Sequence, residues 1–283
     1  MRFRWAKGIP RREIEIRPTM LNYKVPYEYM PPGLPPRESL LQIKNAIAAV
    51  TLAYRAGDYA AALEKTEDLK NGSEATAPYC FFRGSILHYL GRFSEAEASL
   101  REGLFLEKQP RQRALAFNTL ASVLTDQERY AEAIEFYENA SRAWPDRGAG
   151  HRGIAEVWLR QGREFQEALK RAQLAVAIDK RATGISRELL EHRLGEDLAV
   201  LAWALSANGA GIGTVEFVSG EAVRLCASGA KAILAQVHCH IGQAYLALQE
   251  TEKSRKHFCS AAEIDPKGIF GTMARSTIAR SGM

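Results

Sequence analysis

From Arg37 onward, apolar residues recur at three- and four-residue intervals, the spacing that lines up one face of an α-helix, and short polar breaks interrupt them at a longer interval. The clearest stretch runs from Ala114 to Pro145. Phe117, Leu120, Ala121 and Leu124 share a face, the polar run Asp126–Arg129 breaks it, and Tyr130, Ala133, Tyr137 and Ala140 restart it before Pro145. This pattern predicts two helices joined by a tight turn, with the small Ala133 and Ala140 placed where the helices approach closely.

The same pattern returns along the chain. Residues 77–110 carry Cys80, Gly84, Leu87, Gly91, Phe93, Ala96, Leu100 and Pro110, and residues 235–266 carry His238, Ile241, Gly242, Tyr245, Phe258, Ala261 and Pro266. Residues 43–76 keep Gly57, Asp58, Tyr59 and Ala62. Residues 148–181 keep Ile154, Ala155, Trp158, Gly162, Ala168, Ala172 and Ala175. The turn positions Gly57, Gly91, Glu128, Gly162, Gly209 and Gln249 follow one another at 34, 37, 34, 47 and 40 residues, so the array is regular at first and irregular later. The fifth copy has a longer first helix, around Ile185 to Asn208, and a glycine-rich turn.

Over residues 43–266 this combination resembles the tetratricopeptide repeat, in which a large residue, Gly, Tyr, Ala, Phe and a closing Pro recur about every 34 residues. The resemblance implies an all-α fold, an α-solenoid of about five to six helical hairpins stacked into a right-handed superhelix with a concave groove. It divides the chain into an extended arm at 1–37, the superhelical domain at 38–267, and a capping helix and tail at 268–283. In the cap, Ile269, Phe270, Met273 and Ile278 would face inward and Arg275 and Arg280 outward.

In that family the groove is lined mainly by the first helix of each repeat. Carrying its positions over residue by residue gives Phe81, Ser85 and His88, then Asn118, Ser122 and Thr125, then Arg152 and Glu156, then Gln236 and Gln243. Chaperone-binding members grip a C-terminal carboxylate with Lys and Asn on one repeat, whereas Ile47 and Thr51 stand at those places here, so the resemblance does not extend to a chaperone adaptor.

Charge changes the picture at the N-terminus. The net charge of +5 lies entirely in residues 1–37, where eight basic residues face three acidic ones, and the remainder balances thirty against thirty. Seven of the eleven prolines lie there too, which excludes a long helix. Arg2, Arg4, Trp5, Arg11, Arg12, Tyr23, Tyr27 and Tyr29 combine cations and rigid aromatics on an extended segment. That mixture suits docking against an acidic protein surface, or against RNA or DNA.

The chain has 283 residues, 46% apolar and 25% charged, enough for a packed core and far from a disordered composition. Four cysteines inside helical patterns read as buried free thiols in a reducing compartment. The start MRFRWAKGIPRR lacks the apolar run of a secretory signal; an intracellular, cytoplasmic address is expected, with the mitochondrial matrix as the alternative suggested by its basic, acid-free composition. Leu198 to Val215 is uncharged, but its glycines and Asn208 break it into a helix end and a turn instead of a membrane span.

Candidate chemistry is sparse. His238, Cys239, His240, His257 and Cys259 supply enough nitrogen and sulfur for zinc. Residues two apart on a helix lie about 200° apart, however, so His238 and His240 cannot share one ion, and packed residues are the expected reading. Gly209, Gly211 and Gly213 have neither dinucleotide-loop spacing nor a following Lys. No cofactor, metal or catalytic residue is assigned. The expectation is a non-catalytic protein-interaction scaffold, a subunit or assembly factor of a larger complex, with a nucleic-acid-associated regulator as the alternative.

Overall fold

In the computed structural model, which describes residues 36–70 and 75–282, the chain forms thirteen α-helices and no strand among those residues. They pair into six hairpins: α1 (Pro36–Arg55) with α2 (Tyr59–Lys65), α3 (Ala77–Tyr89) with α4 (Phe93–Leu106), α5 (Pro110–Asp126) with α6 (Tyr130–Ala143), α7 (Ala149–Arg160) with α8 (Phe165–Asp179), α9 (Arg187–Ala207) with α10 (Ile212–Cys226), and α11 (Lys231–Ala247) with α12 (Thr251–Ile264). The helix α13 (Ile269–Ser281) follows. Helix α1 begins at Pro36, inside the proline-rich composition, because a helix tolerates proline in its first turn.

The turns are made one way. At all six hairpins the first helix ends with a residue at positive φ, from Glu128 and Gln249 at 61° and 60° to Gly209 at 77°. In each, two successive N–H groups fold back onto the last helical carbonyls, as Glu128 N–H does to Thr125 O and Arg129 N–H to Leu124 O. Side-chain caps start three helices: Asp58 accepts from the Ala61 N–H, Thr76 from the Tyr79 N–H and Ser186 from the Leu189 N–H.

Within and between hairpins, small residues set the spacing. Ala62, Ala96, Ala133, Ala168, Ala222 and Ala261 are fully buried. A Cβ at Gly153 would lie 2.2 Å from the Tyr137 ring, and one at Gly242 would lie 2.8 Å from the Phe258 ring, so these backbones approach as closely as glycine allows.

The hairpins coil until the first meets the last two. Arg55, at the end of α1, donates to Glu188 Oε1 of α9 at 3.1 Å and to the Ser228 carbonyl before α11 at 2.9 Å. Tyr89 of α3 stacks on Tyr59 and meets the edge of Phe270 on α13, with ring centroids 6.1 Å apart in the second pair. One apolar cluster accordingly runs through α1, α3, α5, α7, α9 and α11. The uncharged stretch 198–215 splits between α9 and α10 about the turn at Gly209, and no helix among the described residues is long and apolar enough to cross a membrane. In α13, Ile269 and Phe270 are buried, Met273 and Ile278 pack against them, and Arg275 and Arg280 are exposed.

Candidate functional site

Coiling leaves a partly open polar cavity of about 120 Å³ inside the superhelix. Ser85, His88, Asn118, Ser122, Thr125, Arg152, Glu156 and Gln236 line it, so eight positions carried over from the repeat resemblance converge from α3, α5, α7 and α11. Gln243 lies instead in a smaller neighbouring hollow with Trp203 and His240. Phe81 is in the core between α3 and α4, against Gly103. The arm candidates Arg2, Arg4, Trp5, Arg11, Arg12, Tyr23, Tyr27 and Tyr29 lie outside the described residues.

The cavity wall is more charged than the carried-over positions alone suggest. His88 Nε2 lies 2.7 Å from Asp126 Oδ2, Asp126 Oδ1 accepts from Arg160 at 2.9 Å, Arg160 grips Glu156 at 2.7 Å, and His240 Nε2 stands 3.3 Å from Glu156. This chain of contacts crosses the interior from the second hairpin to the sixth. Burial pushes the Glu156 carboxyl up, but His240 and Arg160 beside it outweigh that and hold it well below the usual carboxylate range. A second set joins Arg152 to Glu196 at 3.2 Å and Asp197 at 3.4 Å. Burial raises the Asp197 carboxyl well above its ordinary value despite Arg152.

The positions carried over from the repeat do not include Asp126, Arg160, Glu196 or His240. Asp126 and Arg160 sit at the ends of first helices, where the repeat prescribes no groove residue. Glu196 and Asp197 lie within the part of α9 that matches an ordinary first helix, in the copy whose spacing departs from the repeat. The pattern did carry a signal for one of them: Glu196 stands thirteen residues before Gly209, as Gln236 stands thirteen before Gln249.

The histidine cluster resolves differently from its spacing. His238 and His240 do diverge, His240 toward Glu156 and the Trp203 ring, but His238 is half-buried instead of in the core, with its Nδ1 3.0 Å from Nδ1 of His257 on α12. Phe258 is buried as expected. No group of three or more His, Cys, Asp or Glu able to hold a metal occurs among the described residues. Cys80, Cys226 and Cys239 are buried free thiols and Cys259 is half-buried, also free. Burial pushes the first three up to about 12, away from reactive thiolate character.

Comparison with known proteins agrees with this geometry. Models of the tetratricopeptide repeat match residues 112–188 and, separately, 77–109 and 235–267, together half of the chain. No curated protein sequence matches it significantly. Among solved structures, a chain of the APC/C hetero-tetramer Cut9–Hcn1 superposes with a TM-score of 0.58 at 14% identity, over 82% of this chain and 42% of that one. A Rap protein complexed with competence and sporulation factor superposes at 0.50 with 13% identity, over 81% of this chain and 66% of that one. A thermophilic repeat protein of Thermus thermophilus gives 0.48 at 17% identity, over 72% and 99%. The chain thus spans less than half of the Cut9–Hcn1 chain, and at such identities the likeness is one of fold. Six stacked hairpins, turns at the repeat's own positions and the family-model matches together make the chain a member of the tetratricopeptide repeat family.

Proposed function

We propose that the chain is a non-catalytic protein-interaction scaffold, working as a subunit or assembly factor of a larger complex. Partners engage the polar interior of the superhelix and the basic arm of residues 1–37. The observation that carries this reading is the convergence of eight repeat-position side chains on one cavity. They are mostly neutral hydrogen-bonding groups, and the two charged ones, Arg152 and Glu156, are already paired. Such a surface suits recognition of a polar segment better than it suits bond-making chemistry. The neighbouring Cut9–Hcn1 and Rap structures are themselves protein assemblies and complexes, which supports the class of function without naming a partner.

The test is the native size of the full chain in its own cell, set beside a full-length variant with Arg2, Arg4, Arg11 and Arg12 changed to Gln. Migration in a large assembly, with partial release of the variant, is the expected result. A chain that runs alone as a monomer in both forms contradicts a constitutive subunit.

The +5 concentrated in the arm favours one second reading, in which the arm contacts RNA or DNA and the solenoid recruits regulators. Phosphate contacts through several cations weaken steeply with salt, whereas aromatic and proline-mediated protein contacts change little. A flat salt response of the assembly excludes this alternative.

A further inference from the structure

Three guanidiniums converge on the indole of Trp144, in the loop between α6 and α7. Arg193 of α9 lies 5.3 Å from the ring centroid, Arg147 of the same loop 5.5 Å, and Arg111 of the first turn of α5 5.6 Å. Each cation is attracted to the ring face, but the three repel one another. Counter-charge is thin. Asp179 lies 4.0 Å from Arg193, beyond hydrogen-bonding range, and already accepts from the Gly148 N–H at 3.1 Å, while Glu196 and Asp197, which also face Arg193, are engaged by Arg152.

Arg193 has a side chain only 4% exposed, and the Nε atoms of both Arg193 and Arg147 are buried without a hydrogen-bond partner. Buried guanidinium N–H groups are normally satisfied, because leaving them unmade forfeits their hydration for nothing. Burial, and after it the repulsion of Arg193, brings the Arg147 guanidinium down to about 9. Arg147 is also the member of the trio that lines the central cavity, where Asn118 holds a second unsatisfied atom, a buried Oδ1 acceptor.

We propose that Arg111, Arg147 and Arg193 on Trp144 form an anion subsite that meets the cavity at Arg147 and receives a side-chain carboxylate from an acidic segment of a protein partner. The proposal rests on the scaffold reading in that the partner is a protein. A guanidinium edge presents paired N–H donors matched to a carboxylate. The unsatisfied Asn118 acceptor selects between anions: a peptide brings backbone N–H donors beside its carboxylates, whereas a phosphodiester backbone brings acceptors only.

The experiment is fluorescence anisotropy of a labelled hexaglutamate peptide against the full chain at low ionic strength, with a labelled single-stranded oligonucleotide alongside. Saturable one-to-one peptide binding is expected. Arg147→Gln should weaken it about ten-fold or more, while Arg255→Gln, on the exposed face of α12, leaves it unchanged. Neutralising Arg2, Arg4, Arg11 and Arg12 to Gln should leave most of the binding in place. Without peptide, Arg147→Gln should melt at or above the temperature of the parent, since it removes a cation whose buried Nε has no hydrogen-bond partner and which Arg193 repels. Peptide binding that is absent, or indifferent to Arg147→Gln, or lost only with the arm substitutions, overturns the subsite. So does a marked fall in melting temperature, which would make Arg147 a structural residue. Oligonucleotide binding that depends on Arg147 while hexaglutamate does not bind would replace the acidic peptide by phosphate. Native assembly size separates the two claims: an intact assembly with Arg147→Gln indifferent sinks the subsite alone, and a solitary chain that still binds hexaglutamate through Arg147 sinks the scaffold reading.

Discussion

Gly91 and Gln249 occupy the same left-handed turn conformation, at φ of 72° and 60°, yet only one has the residue that adopts it without strain. A Cβ added at Gly91 meets nothing within 4 Å, so Gly91→Ala isolates the backbone term and should cost about 1 kcal/mol in urea denaturation. Gln249→Gly should move the other way, by about 0.5 kcal/mol, because the unfolded chain also gains freedom. His257 makes a second residue-scale prediction. Burial, and then the facing His238 and Lys256, lower its pKa to about 4 from an ordinary 6.5. Above pH 6.5 neither folded nor unfolded chain holds this proton. As pH falls from 6.5 toward 4 the unfolded chain takes it up and the folded chain does not, so stability declines across that window and the loss levels off below it. The decline should reach about 2 kcal/mol and be shallower in His257→Gln, read from urea midpoints between pH 7 and 4.5.

Helix pairs are governed by how closely their backbones approach. Gly153 on α7 faces the ring of Tyr137 on α6, whose hydroxyl lies 3.1 Å from Ser122 Oγ at the cavity wall. Gly153→Ala would press a methyl into that ring. We expect a loss of about 2 kcal/mol by overpacking, together with a shift in the near-ultraviolet signal of the displaced tyrosine. The fifth hairpin shows the converse, an element that gains a role by departing from the pattern. Helix α9 runs 21 residues and touches α7, α8, α10 and α11; its extra N-terminal turns carry Glu188 to Arg55, and its regular part sets Glu196 and Asp197 against Arg152.

The whole molecule is tied by charges as well as by apolar packing. Arg160 joins Asp126 and Glu156, and through them the second, third, fourth and sixth hairpins. Arg160→Met keeps most of the volume but leaves two buried carboxylates without their cation. Stability should fall by about 3 kcal/mol, and the unfolding transition should broaden if hairpins that melted together begin to melt apart. A variant as stable and as cooperative as the parent would show that the network is incidental to closure of the superhelix.

The sequence by itself determined the helices, their pairing and their turns, because these depend on local periodicity, on small residues at fixed offsets and on αL positions such as Gly57, Gly91 and Gly162. It also pointed to most of the cavity-facing positions, since Ser85, Asn118, Ser122 and Gln236 follow from the register of each first helix. What it could not determine was the content of that cavity. Whether His88, Arg152 and Glu156 are solvated groups or buried partners depends on how tightly six hairpins coil, a rotation accumulated over every interface and legible at none of them. Only the tertiary structure brought Arg55 to Glu188, His238 to His257, and Arg111 and Arg193 to the indole beside Arg147, pairings between residues tens to more than a hundred positions apart or on neighbouring helices whose rotation sets the contact. Periodicity says which way a side chain faces along its own helix, and closure of the superhelix decides what it meets there.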